Sequence, residues 1–179
     1  MGKRSDFERV ERDFYPTPHS AVLPLIPHLD VEREYVEPCA GDGQLIYNLG
    51  LHGLRCRMAF DIEPRRRDGL PDYGIQEQDA LEIRWGRFLY ISNPPWDRQI
   101  LHPLIEGLTE NGGQAWLLFD ADWVHTLQAA KYLPRLRKIV SVGRVKWIPD
   151  SKMTGKDNCA WHYFTPPSDE PTQFYGRVN

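Results

Sequence analysis

Arg33-Glu34-Tyr35-Val36-Glu37-Pro38-Cys39-Ala40-Gly41-Asp42-Gly43-Gln44 is the stretch on whose reading the fold depends. Tyr35 and Val36 favour a strand, and Pro38 cannot donate to a sheet ladder, so a strand over 33–37 has to stop there. Gly41 and Gly43 permit a tight backbone turn that lets a ligand come close, and the start of the next helix offers unpaired N–H groups. Residues 44–51 then read as that helix, with Gly50 or Gly53 near its end. Strand, glycine turn and helix in succession predict a unit of an open α/β sheet, whose ligands sit beyond the carboxyl ends of the strands. The glycines alone are a weak signal. Any tight strand-to-helix turn uses them, and after Gly43 no third glycine completes a dinucleotide fingerprint.

Working outward, the same alternation continues. Residues 54–62 read as a second strand, stopped by Pro64 and the Arg65-Arg66-Arg67 run, and 74–78 as a brief third. Residues 87–92 are a compact apolar strand ending at Asn93-Pro94-Pro95. Residues 100–108 are amphipathic and helical until Asn111-Gly112-Gly113 breaks them. A buried strand over 114–119 and a helix around 123–133 follow, and 139–147 and 160–165 form a final antiparallel hairpin around a polar loop, 149–158. The organisation expected is one α/β domain over 14–165, with an N-terminal tail, 1–13, and a proline-rich, loosely held C-terminal tail, 166–179.

A chain of 179 residues, 41% hydrophobic and 26% charged, is large enough for one well-buried core and ordinary for a globular protein. The first thirteen residues mix both charges without an apolar run, and no stretch approaches the roughly 18 apolar residues of a membrane span, which points to a cytoplasmic protein. Cys39, Cys56 and Cys159 lack CxxC spacing and the histidines are scattered, so neither a disulfide framework nor a metal site is expected. A net charge of −3 excludes a nonspecific polycation, but residues 131–156 carry eight basic residues against one acid. Such segregation fits a phosphate-binding face and equally a solvated helix end followed by a hairpin.

Chemistry concentrates in three further places. Asp61 ends the second strand, where an acid can accept hydrogen bonds from both hydroxyls of a ribose, and Asp79 follows the third, where it can accept from an adenine amino group. Each acid alone reads as a surface residue, whereas together, at consecutive strand ends, they describe a nucleoside slot. Ile91-Ser92-Asn93-Pro94-Pro95-Trp96 is the sharpest feature. Proline has no N–H, so Asn93 and Pro94 present carbonyl oxygens that a sheet ladder does not claim. Two acceptors aimed at one amine hold both its hydrogens and free its lone pair, and Trp96 offers a face on which an extruded base can stack, a contact of about 1–3 kcal/mol. A rigid loop ending a strand is the plain alternative.

The tetrapeptide Asn93, Pro94, Pro95, Trp96 resembles the catalytic motif of S-adenosylmethionine-dependent amino-methyltransferases that act on DNA adenine. Residues 37–43 resemble their cofactor motif, and Asp13-Phe14-Tyr15-Pro16-Thr17-Pro18 resembles the segment that closes over the methionine part of the cofactor. The order of the motifs matches as well, over about half of the chain. The resemblance implies a Rossmann-like class I methyltransferase fold, a mostly parallel central sheet with a C-terminal antiparallel hairpin. It implies a cofactor site of Tyr15, Thr17, Glu37, Pro38, Ala40, Gly41, Gly43, Asp61, Ile62, Asp79, Ala80 and Asn93, with S-adenosylhomocysteine as product and no metal. Tyr15 and Thr17 would meet the methionine moiety, Asp61 the ribose, Asp79 the adenine amine, and Ile62 the adenine ring. Related enzymes methylate glutamine side chains in proteins, bases in RNA, or the cytosine amine, and an inactive cofactor- or DNA-binding subunit is the non-enzymatic alternative.

Lys146-Trp147-Ile148-Pro149 and Asn158-Cys159-Ala160-Trp161-His162-Tyr163-Phe164 resemble segments of small phage-type adenine methyltransferases. In that family an aromatic from this hairpin sandwiches the flipped base, which makes Trp147 and Trp161 candidates, with core packing the expectation for Trp161. DNA contacts are expected from Arg144, Lys146, Trp147, Lys152 and Lys156. No separate target-recognition domain is expected, so sequence reading is expected from the loop 149–158, from a partner subunit or a second copy, or to be slight.

Overall fold

The computed structural model describes residues 14–148 and 155–177. Its strands are β1 (Tyr35–Glu37), β2 (Cys56–Asp61), β3 (Gln76–Glu77), β4 (Leu89–Ser92), β5 (Gln114–Asp120), β6 (Leu136–Arg144), β7 (Asn158–Phe164) and β8 (Gln173–Tyr175). They form one sheet in the order β3-β2-β1-β4-β5-β7-β6-β8. Strands β1 to β5 are mutually parallel, β7 runs antiparallel to both β5 and β6, and β8 is parallel to β6. The expected α/β architecture and antiparallel hairpin are both present. Helix α1 (His19–Val22) precedes the sheet, α2 (Gln44–Gly50) crosses from β1 to β2, and α3 (Arg98–Glu110) crosses from β4 to β5. From β1 the chain builds outward to β2 and β3, then returns to add β4 on the other side, so a crevice opens beyond the carboxyl ends of β1 and β4.

The central strands are apolar throughout because both sheet faces are covered. Leu89 and Ile91 of β4 and Trp116 and Leu118 of β5 enter the core layer under α1 and α2. The alternate residues, Tyr90, Ala115, Leu117 and Phe119, enter the layer under α3. Trp161 is fully buried in the first layer, where its Nε1–H donates to the Ala21 carbonyl at 2.8 Å, so it is a core residue as expected. His162, its neighbour on β7, stacks on Phe119 with ring centroids 3.9 Å apart, and burial drives its pKa down to about 3.

Four local expectations change. The helix expected around 123–133 is replaced by three short 3-10 segments, Ala121–His125, Leu127–Ala129 and Leu133–Arg135. Thr126 takes an extended backbone and its hydroxyl bonds back to the Trp123 carbonyl at 2.8 Å, a local alternative to the helical bond. Strand β6 ends at Arg144 rather than at 147, because Gly143, at φ +85°, sits at a register shift opposite β7. Helix α1 and the 3-10 turn Ile26–His28 were not expected. Part of the tail expected to be loose after Thr165 instead supplies β8, where Thr172 donates to the Leu136 carbonyl at 2.8 Å and the Tyr175 ring meets His28 edge-on at 4.4 Å. The tail 1–13 lies outside the described residues. Among the described residues no helix is long and apolar enough to cross a membrane, and no group of three metal-ligating side chains occurs.

Candidate active site

The crevice is a cavity of about 650 Å³, within the range of small-molecule sites. Its floor is the turn after β1. There the Gly41 N–H donates to Asp61 Oδ2 at 2.7 Å, the Gly43 N–H to the Ala40 carbonyl, and the Gln44 N–H to Asp42 Oδ1 at 3.0 Å. Gly41 and Gly43 both have positive φ, and each also lies under an aromatic ring. A Cβ on Gly41 would stand 2.7 Å from the Phe14 ring, and one on Gly43 2.6 Å from Tyr73. The glycines therefore admit covering rings as well as permitting the turn. The Arg65 N–H donates to the Gly41 carbonyl at 3.0 Å, so the segment after β2 straps the turn from above.

Asp61 and Asp79 stand at the ends of β2 and β3 as expected, and both line the cavity. Asp61 holds Gly41 through one oxygen and the Glu63 N–H, at 2.8 Å, through the other, while Asp79 Oδ1 accepts from the Leu81 N–H at 2.9 Å. A carboxylate has about four acceptor sites, so these turn bonds leave capacity for a ligand on each. Ile62 and Leu81 are half-exposed apolar side chains on the same wall, suited to a flat ring, and Ala80 lies beside them.

Asn93 ties this pocket to the end of β4. Its Nδ2 donates to the Tyr15 carbonyl at 3.3 Å and to Thr17 Oγ1 at 3.1 Å, and the Thr17 carbonyl accepts from Asn48 of α2 at 2.8 Å. The segment 14–17 is thereby pinned across the cavity, and because Nδ2 serves a backbone carbonyl, Oδ1 is left as the acceptor. Pro95 lines the cavity, Pro94 is buried, and Asp97 caps α3 by accepting from the Gln99 N–H at 2.8 Å. The tetrapeptide is thus stretched between a buried strand and a capped helix. Trp96 is half-buried and lies off the cavity wall, its ring edge-on to Trp147 with centroids 6.0 Å apart, and the Tyr15 ring lies tilted 6.2 Å from Trp147.

Of the expected cofactor residues, Tyr15, Thr17, Pro38, Ala40, Gly41, Asp61, Ile62, Asp79, Ala80 and Asn93 meet in the cavity. Glu37 does not line it. It is fully buried and accepts from the Ser92 hydroxyl at 2.6 Å, and burial pushes its carboxyl well above the usual carboxylate range. Gly43 lies beside the cavity as the N-cap of α2. Phe14, Arg65, Leu81 and Ile100 also line it. None stands out in the sequence: Arg65 belongs to a run of three arginines, Leu81 lies in a loop, Ile100 opens a stretch that reads only as an amphipathic helix, and Phe14 appears only within its motif.

The basic segment is divided rather than pooled. Arg144 and Lys146 are exposed at the carboxyl end of β6, and Lys156 is exposed just before β7, at the same edge of the sheet as the cavity. Lys131 bridges to Glu106 at 2.6 Å, and Arg137 is buried at the opposite end of β6, donating to the carbonyls of Pro134, Ser168 and Glu170. Lys152 lies outside the described residues.

No protein-family model matches the chain, and no curated protein matches it. Solved structures do share its fold. A class I S-adenosylmethionine-dependent methyltransferase assigned in Listeria monocytogenes superposes with a TM-score of 0.59 at 11% identity, over 97% of this chain and 68% of the other. A protein of Pyrococcus horikoshii assigned as an RNA methyltransferase gives 0.57 at 16% identity, over 91% of each chain. The modification subunit of an assigned type I restriction enzyme from Vibrio vulnificus gives 0.55 at 12% identity, over 93% of this chain and 47% of that one, so this chain spans about half its length. At such identities the likeness is one of fold: the chain has the Rossmann-like class I methyltransferase fold.

Proposed function

We propose that the protein transfers a methyl group from S-adenosylmethionine to the exocyclic amine of adenine in DNA. The observation that carries this reading is Asn93, whose side chain joins the segment 14–17 to the end of β4 while keeping an acceptor oxygen at the cavity. The cavity suits the cofactor. Five acids line it, and with Asp42 paired to Arg67 and Glu63 to Arg65, Asp61, Asp79 and Asp97 remain to favour a cationic nucleoside. Asp61 would hold the ribose, Asp79 the adenine amine, and Ile62 with Leu81 the ring. When bound, S-adenosylmethionine supplies an electrophilic methyl group on its sulfonium sulfur.

The protein's own contribution is positioning and preorganised hydrogen bonding. An adenine amine is a weak nucleophile because its lone pair is delocalised. Asn93 Oδ1 and the Pro94 carbonyl accept its two hydrogens and localise that pair, and the excess proton leaves to water after transfer. The base leaves the stack to reach the pocket and rests on Trp96, with Trp147 closing from the hairpin. Arg144 and Lys146, exposed at the carboxyl end of β6, receive the phosphates.

Incubating the protein with methyl-labelled cofactor and with DNA, RNA and protein, then locating the label by mass spectrometry of digests, tests this. Label on the adenine amine of DNA is expected. Label on the cytosine amine, in RNA or on a side-chain amide reassigns the substrate, and no label in any pool returns the chain to a binding subunit.

A further inference from the structure

We infer that Arg65 receives the carboxylate of the cofactor's amino-acid arm, an inference that rests on the cofactor reading above. S-adenosylmethionine carries two cationic centres and one carboxylate. Carboxylates suit its cations, but an anion entering a cavity lined by acids requires a positive partner. Among the described residues lining the cavity, Arg65 is the only cation.

Its placement is fixed beside the glycine turn and the segment 14–17. The Arg65 N–H is bound to the Gly41 carbonyl, and the guanidinium carbon stands 4.2 Å from the centroid of the Phe14 ring. Phe14 packs on Gly41 and begins the segment that continues through Tyr15 to Thr17. Arg65 is therefore held between the glycine turn and the closing segment, whereas Ile62, Asp79 and Leu81 form the wall after β2 and β3. The neighbouring arginines are committed elsewhere, Arg66 to Asp72 at 3.1 Å and Arg67 to Asp42 at 2.9 Å. Arg65 itself has one loose ion pair, with Glu63 at 3.7 Å, and its side chain is 31% exposed. A guanidinium offers five donors in a planar fork, so this contact leaves a face for a carboxylate, and stacking on Phe14 holds the plane in place.

Two ligands separate this role from a structural one. S-adenosylhomocysteine keeps the amino-acid arm, and 5′-methylthioadenosine has the nucleoside and sulfur without it. In calorimetric titrations the wild type should prefer S-adenosylhomocysteine, and Arg65→Met should lower its affinity by about tenfold or more, the scale of a charge-assisted hydrogen bond, while leaving methylthioadenosine within about twofold. Arg65→Lys should restore part of the preference, and retained methylthioadenosine binding certifies that each variant is folded. Equal weakening of both ligands overturns the inference in favour of a role in holding Phe14 and the turn, and so does an unchanged preference. If the wild type binds neither ligand, the cofactor reading itself falls, a result distinct from either of those.

Discussion

The amide of Asn93 has its Nδ2 bound to Tyr15 and Thr17, and this divides the consequences of two substitutions. Thr17→Val removes one acceptor with little change of shape. It should lower kcat/KM about two- to tenfold, the range of a single hydrogen bond of ~0.5–1.5 kcal/mol. Asn93→Ala removes the proposed substrate acceptor as well, and turnover should fall by about 10²–10³, as for loss of a preorganised polar partner. Because the closing segment loses two bonds in that variant, cofactor affinity should fall with turnover, and steady-state kinetics beside titrations read both. Unaltered turnover in Asn93→Ala would sink the catalytic assignment. Glu37 predicts an effect on stability with a definite sign. Its folded pKa is raised by burial, which the Ser92 hydroxyl only partly opposes, so the favourable contribution is present at low pH and is lost as pH rises through the folded value. Glu37→Gln keeps the shape without the charge. It should raise Tm at pH 8 by more than it does at pH 5, read by thermal denaturation at the two pH values. A gain that is larger at pH 5 would show that Glu37 is ionised in its site.

At the scale of elements, the legible parts of the fold are those whose pattern is local. β4 and β5 are unbroken apolar runs bounded by Asn-Pro-Pro and by glycine, and α3 has one apolar face, so each was recognisable from its own residues. Much of the site followed for the same reason, since Asp61 ends β2 and Asn93 directly follows β4, whereas Asp79 stands in the turn after the exposed two-residue β3. The 3-10 segments after β5 were not legible, because Thr126 replaces the helix with a side-chain bond that apolar periodicity does not encode. Nor was Arg65 as a site residue, since its neighbours Phe14 and Gly41 come from distant positions in the chain. β8 is the clearest case of a long-range element. Three residues in a proline-rich tail become a strand only because Leu136, Lys138 and His28 are already in place to receive them. That dependence is testable. Deleting residues 172–179 should expose the edge of the nine-residue β6, lower Tm and promote association through the unpaired edge, visible by size-exclusion chromatography with light scattering. A deletion variant that stays monomeric with wild-type Tm would make β8 dispensable.

Across the whole molecule, charge is arranged by strand direction rather than by sequence proximity. Residues 131–156 look like one basic block in the chain, but β6 runs through it, and nine residues at about 3.3 Å each separate its two ends by more than a Debye length at physiological salt. At the starting end Arg137 is consumed by backbone carbonyls, and Lys131 by Glu106. At the finishing end Arg144 and Lys146 stand exposed at the edge of the sheet that also holds the cavity, close in the chain to Trp147. A molecule of net charge −3 that binds a polyanion must do so through such a restricted edge, since the rest of its surface repels. The salt dependence of DNA binding should therefore be shallow and local. Replacing Arg144 and Lys146 by Gln should reduce the slope of log K against log salt by about 0.9 for each phosphate that is no longer neutralised. The same change at Lys131, which precedes β6, and at Lys138, near its start, should leave the slope unaltered. A slope that falls equally in both pairs would mean that DNA reads the basic segment as one face, and that the edge of the cavity is not where the phosphates dock.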